Sequence, residues 1–147
     1  MIRRLGAEEN PRWLEMRQRL WPEVAREELV RDQAMILGDP ERHAVFVAHE
    51  AESGLVGFVE VSFRDWAEGC AARPVGYLEG WYVEPSHRRG GIGRRLVEAA
   101  ERWVLDRGCA EIGSDADLGN PASHRAHRAL GFREVGREVL FAKQLKS

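Results

Sequence analysis

The sequence predicts one domain of the α/β (α+β) class, built on a mixed central sheet with helices on both faces. Three observations lead to this. The chain has 147 residues, the usual size of one compact domain. Its first half contains an apolar hairpin pattern, which favours antiparallel pairing. Its second half alternates strands and helices, which favours parallel pairing through right-handed crossovers. The expected order is β-α-α-β-β-β-α-β-α-β, within a single domain of residues 1–147.

The first half is predicted to fold as a short strand, two helices and a hairpin. Asn10-Pro11 predicts a helix start, because Asn caps helices and Pro is tolerated at the first helical position. Pro22 ends that helix, and Gly38-Asp39-Pro40 stops the next one. The strands are bounded by turn residues. The predicted segments are a strand at 1–5, helices at 10–22 and 23–37, and strands at 44–49 and 55–63.

The second half is predicted to alternate strands with helices. Residues 75–83 form an apolar central strand, and the helix after the loop at 88–95 shows apolar residues on one face. Gly108 is a natural C-terminal stop for that helix. The remaining predicted segments are a strand at 109–115, a helix from Asn120-Pro121 to Leu130, and a last strand ending at Phe141 or shortly after.

Composition excludes several classes of protein. The net charge of −2 gives no global attraction to nucleic acid or to an anionic membrane. No apolar run is long enough to span a bilayer, and the N-terminus lacks the pattern of a signal peptide. Cys70 and Cys109 have neither metal-ligand spacing nor a disulfide pattern. We therefore expect a cytoplasmic protein that binds neither nucleic acid nor membrane.

Residues 88–95, Arg-Arg-Gly-Gly-Ile-Gly-Arg-Arg, lie between the central strand and a helix. Glycines let backbone N–H groups approach a ligand closely, and a helix start carries partial positive charge. The combination predicts a site for a pyrophosphate. The loop lacks the Lys-Ser/Thr pair of a P-loop, and its spacing and mid-chain position disfavour a dinucleotide fingerprint. The alternative is a solvated basic turn that caps the helix.

Arg88, Gly91 and Gly93 form an Arg-x-x-Gly-x-Gly pattern after the strand that contains Glu79. This arrangement resembles the coenzyme A pyrophosphate loop of the GCN5-related N-acetyltransferases (GNAT). The resemblance implies acetyl-CoA as the co-substrate and the GNAT acyl-CoA acyltransferase fold, in which two neighbouring parallel strands splay apart and admit the pantetheine arm. Here those strands end near Val83 and Asp115.

A narrower resemblance covers nearly the whole chain. The bacterial aminoglycoside 6′-N-acetyltransferases are similar in the central strand, the loop, the following strand end, the last helix and an early tryptophan. The resemblance implies transfer of acetyl to the 6′-amine of an aminoglycoside, which confers antibiotic resistance, and a homodimer, with the C-terminal strands as one candidate interface. The residues that carry it are 74–83, Pro85, His87-Arg88-Arg89, Ser114-Asp115-Ala116, Asn120, His127, Leu130-Gly131-Phe132 and Leu20-Trp21-Pro22.

Acidic residues are the expected substrate contacts. An amine attacks a thioester only as the free base, and an aminoglycoside arrives as a polycation. Glu79 is the first candidate for general base, through a water, and for binding the amine. Asp115 is assigned to the substrate ammonium, with general base as its second role. The resemblance implies that Trp21 and Trp66 also contact the antibiotic. The alternatives are an outward strand residue for Glu79, a turn former for Asp115 and a core residue for Trp21.

The co-substrate contacts are expected along the central strand and the loop after it. Backbone groups of this strand would pair with the pantetheine amides as an added strand does. The N–H of Trp81 or Tyr82 would stabilise the thioester oxygen if the strand bulges near Gly80. Asn120 matches the position that bonds the CoA arm, with helix capping as the alternative. The expected cofactor-binding residues are Trp81, Tyr82, Val83, Arg88, Arg89, Gly90, Gly91, Ile92, Gly93, Arg94 and Asn120.

The chain departs from the family at the proton donor for the leaving thiolate. Many acetyltransferases place a tyrosine on a late strand, whereas this chain has only Tyr77 and Tyr82. Tyr82, water or the substrate itself donates the proton, or the thiolate leaves unassisted. Neither cysteine is placed as a nucleophile, so we expect direct attack in a ternary complex. His124 and His127 lack a third ligand, so no metal is expected.

Two alternative functions stay open from the sequence. One is N-acetylation of another amine, such as a polyamine or a protein N-terminus, because acidic residues suit any cation. The other is a CoA-binding domain without catalysis that acts as a sensor. The retention of Glu79 and Asp115 beside a complete loop argues against the sensor.

Overall fold

The computed structural model describes all residues from 1 to 147, in two compact units, Met1–Asp115 and Ala116–Ser147. The first unit contains five strands and three helices, and the second contains one helix. The strands are β1 (Ile2–Arg4), β2 (His43–Glu50), β3 (Gly54–Arg64), β4 (Val75–Val83) and β5 (Ile112–Ser114). The helices are α1 (Asn10–Leu20), α2 (Arg26–Leu37), α3 (Ile92–Asp106) and α4 (Pro121–Ala129), and a 3₁₀ turn spans Pro85–His87.

The five strands form one mixed sheet in the order β1-β2-β3-β4-β5. All neighbours are antiparallel except β4 and β5, which are parallel, as the sequence predicts. The parallel pairing covers only Gly76 to Leu78 of β4, although β4 runs on to Val83. The strand β5 therefore ends before β4 does, and it leaves the edge of β4 from Glu79 to Val83 without a partner strand.

Helices cover both faces of the sheet, as predicted. Gly57 and Phe58 are neighbours on β3, so they face opposite sides. A Cβ at Gly57 would lie 3.3 Å from Leu96 of α3, whereas Phe58 belongs to a buried cluster with Trp13 and Met16 of α1. The α3 helix thus packs on one face, and α1 on the other. None of the four helices combines the length and apolar character that a bilayer crossing requires.

A β-bulge interrupts the pairing of β3 and β4. Glu60 lies opposite Gly80, but the next residue of β3, Val61, lies opposite Leu78. Glu79 is therefore the extra residue of β4. It bonds to Ser62, while a Cβ on the following Gly80 would meet the Phe58 and Trp21 rings. Two consecutive residues of β4 thus point to the α1 side, and the bulge expected near Gly80 is present.

Three predicted segments differ from the structure. The second helix begins at Arg26 rather than at 23, because residues 22–24 form a turn in which Val24 N–H donates to the Trp21 carbonyl at 3.1 Å. The strand predicted at 109–115 is limited to Ile112–Ser114. The last predicted strand is wrong, because residues 132–147 contain no helix or strand. A strand needs a hydrogen-bonded neighbour, and apolar pattern alone does not supply one.

Candidate active site

The Glu79 carboxylate is held by two neighbouring residues of β3. Arg64 donates from Nε to Oε2 at 2.8 Å and from Nη2 to Oε1 at 2.6 Å. The Ser62 hydroxyl donates to Oε2 at 2.6 Å. These residues meet because the side chains of 62 and 64 alternate onto the same face of β3. Glu79 is thus an anchored residue of the sheet face, not an ordinary outward strand residue.

Asp115 lies just beyond β5 and accepts a hydrogen bond from a β4 side chain. The Tyr77 hydroxyl donates to Asp115 Oδ2 at 2.7 Å. Burial raises the pKa of Tyr77, and the bond to the Asp115 carboxylate raises it further, so the phenol is neutral at physiological pH. Asp115 itself is exposed. Its second oxygen is therefore open to a ligand in solution.

Arg64 connects the two carboxylates. Its guanidinium carbon lies 3.6 Å from the centroid of the Tyr77 ring, while its nitrogens bond to Glu79. The bond to Glu79 raises the pKa of Arg64, which stays charged. The result is a continuous chain of contacts across the sheet face, from Ser62 through Glu79, Arg64 and Tyr77 to Asp115. Sequence reasoning placed both carboxylates but neither the arginine nor the tyrosine between them.

Trp21 covers the bulge from the end of α1. An ideal Cβ at Gly80 would lie 2.7 Å from Cη2 of its ring, so only glycine admits the ring this closely. Trp21 is half-buried and also packs against the core cluster, with its ring centroid 6.5 Å from that of Phe58. The two alternatives for Trp21 are therefore compatible, because one edge packs on the core while the exposed part faces solvent.

A buried ion pair lies beneath Trp21. Arg17 donates from Nε to Glu60 Oε2 at 2.7 Å, and the Trp13 indole N–H donates to the same oxygen at 3.0 Å. Arg17 and Glu60 are each only 3% exposed, and the Arg17 guanidinium carbon lies 5.0 Å from the Trp21 ring centroid. Hence the pair joins α1 to β3 and supports the ring that covers the bulge.

Trp66 and Tyr82 have contrasting positions. Trp66, in the loop after β3, is 57% exposed, so a core role is excluded. Tyr82 is buried in the cluster on the α1 side, and burial raises its pKa, as does a bond to Glu84. Glu84 also accepts from Arg19 at 2.7 Å. Donation of a proton by Tyr82 to the leaving thiolate stays a prediction.

The glycine loop has the geometry of an anion site. Gly91 has a φ of +84° immediately before α3, a conformation that favours glycine, and no side chain caps the helix. The first N–H groups of this 15-residue helix are thus available to a ligand. Arg89, Arg94 and Arg95 are exposed around them. The alternative of a capped basic turn is disfavoured, because the cap is missing.

Two contacts fix this loop to the end of β4. Arg88 donates from Nε to the Val83 carbonyl at 2.7 Å. The Trp81 indole N–H donates to the Gly93 carbonyl at 3.1 Å, and a Cβ at Gly93 would lie 3.2 Å from the Trp81 ring. The third glycine of the pattern is thus a packing residue that brings α3 close to β4. Arg88 is a structural link as well as a candidate ligand contact.

Asn120 lies in the second unit, where its side chain accepts a hydrogen bond from Ser123 N–H at 3.1 Å and caps α4. The capping alternative is thus present. A role in binding the CoA arm stays a prediction, which would use the amide N–H₂ that the cap does not use.

Comparison with known proteins identifies relatives of the whole chain. Residues 10–132 match the acetyltransferase (GNAT) family. The aminoglycoside N(6′)-acetyltransferase type 1 of Klebsiella aerogenes is 42% identical over 147 residues, which is 99% of this chain and 97% of that protein. The enzyme of the same name from Stenotrophomonas maltophilia is 41% identical, over 91% of this chain and 86% of its own.

Solved structures of similar proteins have the same fold. AAC(6′)-Iy in complex with a bisubstrate analogue, CoA-S-monomethyl-acetylneamine, has a TM-score of 0.89 at 34% identity, over 98% of this chain and 97% of its own. The apo aminoglycoside 6′-N-acetyltransferase AAC(6′)-Ig of Acinetobacter haemolyticus has a TM-score of 0.89 at 33% identity, over 99% of both chains.

Proposed function

Because this chain belongs to the GNAT family of acetyltransferases, and within it to the aminoglycoside N(6′)-acetyltransferases, we propose that it acetylates the 6′-amino group of aminoglycoside antibiotics with acetyl-CoA and thereby confers resistance. The observation that carries the proposal is the acidic pair, Glu79 and Asp115. Arg64 and Tyr77 connect the two carboxylates just beyond the last residue of β4 that pairs with β5. A polycationic amine and the thioester are expected to meet at this point.

We propose that acetyl-CoA binds along the end of β4 and the start of α3. The strand β5 pairs with β4 only as far as Leu78, so the backbone amides of residues 81–83 on that edge suit the pantetheine amides. The uncapped N–H groups of α3 and the surrounding arginines suit the pyrophosphate. A structure of AAC(6′)-Iy in complex with CoA, 34% identical to this chain with a TM-score of 0.88, supports acetyl-CoA as the co-substrate.

The carboxylates are proposed to bind the reacting amine. Glu79 Oε2 already accepts two hydrogen bonds, whereas Oε1 accepts one and has room for another. Asp115 has a free oxygen as well. We therefore assign Glu79 to holding the amine and a water that takes its proton, and Asp115 to binding the ammonium.

The reaction then proceeds by direct attack. The neutral 6′-nitrogen bonds to the thioester carbon, and the oxygen becomes negative in the tetrahedral intermediate. Backbone N–H groups of Trp81 or Tyr82, just after the bulge, are suited to stabilise that oxygen. The C–S bond breaks, and the thiolate takes a proton from Tyr82, from water or from the substrate. After the addition, the nitrogen loses a second proton to water. Counted from the bound ammonium, two protons leave the nitrogen, the thiolate takes up one, and one is released; the products are the amide and CoA.

The tryptophans are proposed to bind the sugar rings. Trp66 is exposed on its loop, and Trp21 is half-buried with its ring against Gly80. Both indoles offer a flat apolar face that stacks on a sugar and attracts an ammonium group. We also propose that the enzyme works in the cytoplasm, where acetyl-CoA is available.

A homodimer is proposed from the C-terminal segment, residues 132–147. Its apolar side chains are strongly exposed: Val139 by 70%, Leu140 by 84%, Phe141 by 92% and Leu145 by 85%. An apolar strand sequence without a partner is expected to pair with another chain. A second copy of this chain supplies an identical segment. Light scattering of the full chain is expected to give twice the 16.7 kDa chain mass, and a monomeric mass would contradict the proposal.

The experiment for the function is release of CoA thiol from acetyl-CoA with a matched pair of acceptors. Neomycin carries a 6′-amine where paromomycin carries a 6′-hydroxyl. Fast release with neomycin and little with paromomycin is expected. Equal release with both would indicate that another amine of the antibiotic is acetylated. No release with either, despite measurable CoA binding, would contradict the proposed function.

A further inference from the structure

Arg64 is a positively charged residue in the site that is proposed to bind the ammonium group of an aminoglycoside. It is the last residue of β3 and makes a bidentate ion pair with Glu79 at 2.6 and 2.8 Å. Its guanidinium also stacks on the Tyr77 ring at 3.6 Å. Three contacts thus define its position in the site. An aminoglycoside ammonium that approaches Glu79 therefore meets a carboxylate that is already paired with a guanidinium.

Arg64 contributes little that the fold requires. Its side chain is 44% exposed, and that of Glu79 is 27% exposed. Ion pairs with this exposure stabilise a fold only weakly. The buried Arg17–Glu60 pair, with side chains only 4% exposed, already joins α1 to β3 beside the bulge. We therefore expect Arg64 to contribute to the binding site more than to the stability of the fold.

The charges around Glu79 can be summed from its contacts. Glu79 and Asp115 contribute two negative charges, and Arg64 contributes one positive charge. Tyr77 is neutral because burial and the Asp115 contact raise its pKa. The neighbouring Glu60 is matched by Arg17, 2.7 Å away. The site thus has one net negative charge, which balances one ammonium group.

We propose that Arg64 is a positioning residue that sets the charge of the amine site. It holds the Glu79 carboxylate with one position of Oε1 open, and it offsets one of the two negative charges. The 6′-ammonium is then bound, but its pKa is not raised by two uncompensated carboxylates. The bound amine loses its proton readily, as attack on the thioester requires. This inference rests on the proposed acetylation of an amine.

Loss of the Arg64 charge is expected to change each kinetic parameter in a defined direction. Without Arg64, two negative charges face the ammonium, so a polycation binds more tightly and KM falls. The same charges raise the pKa of the bound ammonium, because an opposite charge favours the charged form. Less free amine is then present at neutral pH, and kcat falls. The acid limb of the kcat profile, which reports groups in the bound complex, moves to higher pH.

The test uses Arg64→Met, which keeps the length of the side chain, and Arg64→Lys, which keeps the charge. Arg42→Met is the matched control, since Arg42 is similarly exposed at 47% and pairs with Asp65 outside the acidic pair. kcat and KM for neomycin are measured from pH 5 to pH 9, and neomycin binding is measured by calorimetry. For Arg64→Met we expect an acid limb raised by about one pH unit and a KM lowered about threefold.

Arg64→Lys is expected to restore the position of the limb, and Arg42→Met to match the unsubstituted enzyme. An unmoved limb in Arg64→Met, with kcat lowered at every pH, would overturn the inference and leave Arg64 a structural residue. So would neomycin binding weaker than that of the unsubstituted enzyme. The unsubstituted enzyme tests the proposed function separately. If it neither binds nor acetylates neomycin, both proposals fail. If it turns over normally but the acid limb of Arg64→Met is unmoved, only the Arg64 assignment is refuted.

Discussion

The contact between Trp21 and Gly80 gives a sharp test of how the site is built. In Gly80→Ala, the new Cβ would lie 2.7 Å from Cη2 and 3.1 Å from Cζ2 of the Trp21 ring. Relaxed carbon contacts lie at about 3.5–4.0 Å, so the ring must withdraw by about 1 Å. Trp21 is half-buried and has room to move towards solvent. We therefore expect a loss of unfolding free energy of about 1–2 kcal/mol, at the low end for overpacking.

The effect on turnover is expected to be larger. Trp21 lies over the bulge where the amine and the thioester are proposed to meet, and a misplacement of about 1 Å at such a point can cost about 100-fold in rate. The assay is kcat/KM for neomycin, with CoA binding measured in parallel and unchanged. Gly119→Ala is the control, because a Cβ there meets nothing within 4 Å.

A double variant separates the clash from other effects. Phenylalanine lacks the outer ring atoms that the new Cβ at position 80 would strike, so Trp21→Phe with Gly80→Ala is expected to be as stable as Trp21→Phe alone. Urea denaturation of the four proteins gives the coupling free energy. Additive losses of stability, or a Gly80→Ala enzyme with unchanged kinetics, would refute the proposed seating of Trp21 on the bulge.

Two further predictions concern β1 and the glycine loop. Glu9→Gln is expected to lower the unfolding free energy by about 1 kcal/mol at pH 7, because Arg3 and the Gly6 N–H lower the pKa of Glu9 to about 2. This stabilisation is present above pH 4.5 and is lost as the pH falls towards 2, so the urea midpoints of the variant and the unsubstituted protein should converge there. A difference that stays constant with pH would contradict the prediction. Gly91→Ala is expected to weaken CoA binding about tenfold by calorimetry, because its φ of +84° costs a Cβ residue about 1–2 kcal/mol; unchanged affinity would remove this loop from the CoA site.

Local features of the sequence predicted where helices begin. α1 begins at Asn10-Pro11, and the glycine loop precedes α3, because such turns depend on a few adjacent residues. The expected capping by Asn10 is wrong, since the N-cap position is Glu9 and the Asn10 side-chain oxygen accepts no hydrogen bond. The strand predicted at 75–83 matches β4 in both bounds. The final strand was predicted wrongly, since its apolar pattern is present but residues 132–147 pair with no strand of the sheet.

The acidic pair was predictable, but its connections were not. Glu79 stands out as a carboxylate inside an apolar strand, and Asp115 as one that directly follows a strand. The Arg64–Glu79 pairing depends on the β3–β4 register and on the bulge, which no short stretch of sequence encodes. One signal was present: Ser62 and Arg64 on β3 and Tyr77 and Glu79 on β4 each alternate with apolar residues, as polar side chains on a shared face do.

The central claim is that acetyl transfer depends on Glu79 while CoA binding does not. The measurement is turnover with neomycin and calorimetric CoA binding for Glu79→Gln beside the unsubstituted enzyme. The amide keeps the shape of the side chain but removes the charge that holds the amine and its water. We expect kcat/KM to fall about 100-fold or more, with CoA affinity unchanged. Turnover equal to that of the unsubstituted enzyme would contradict the account and place the reacting amine elsewhere.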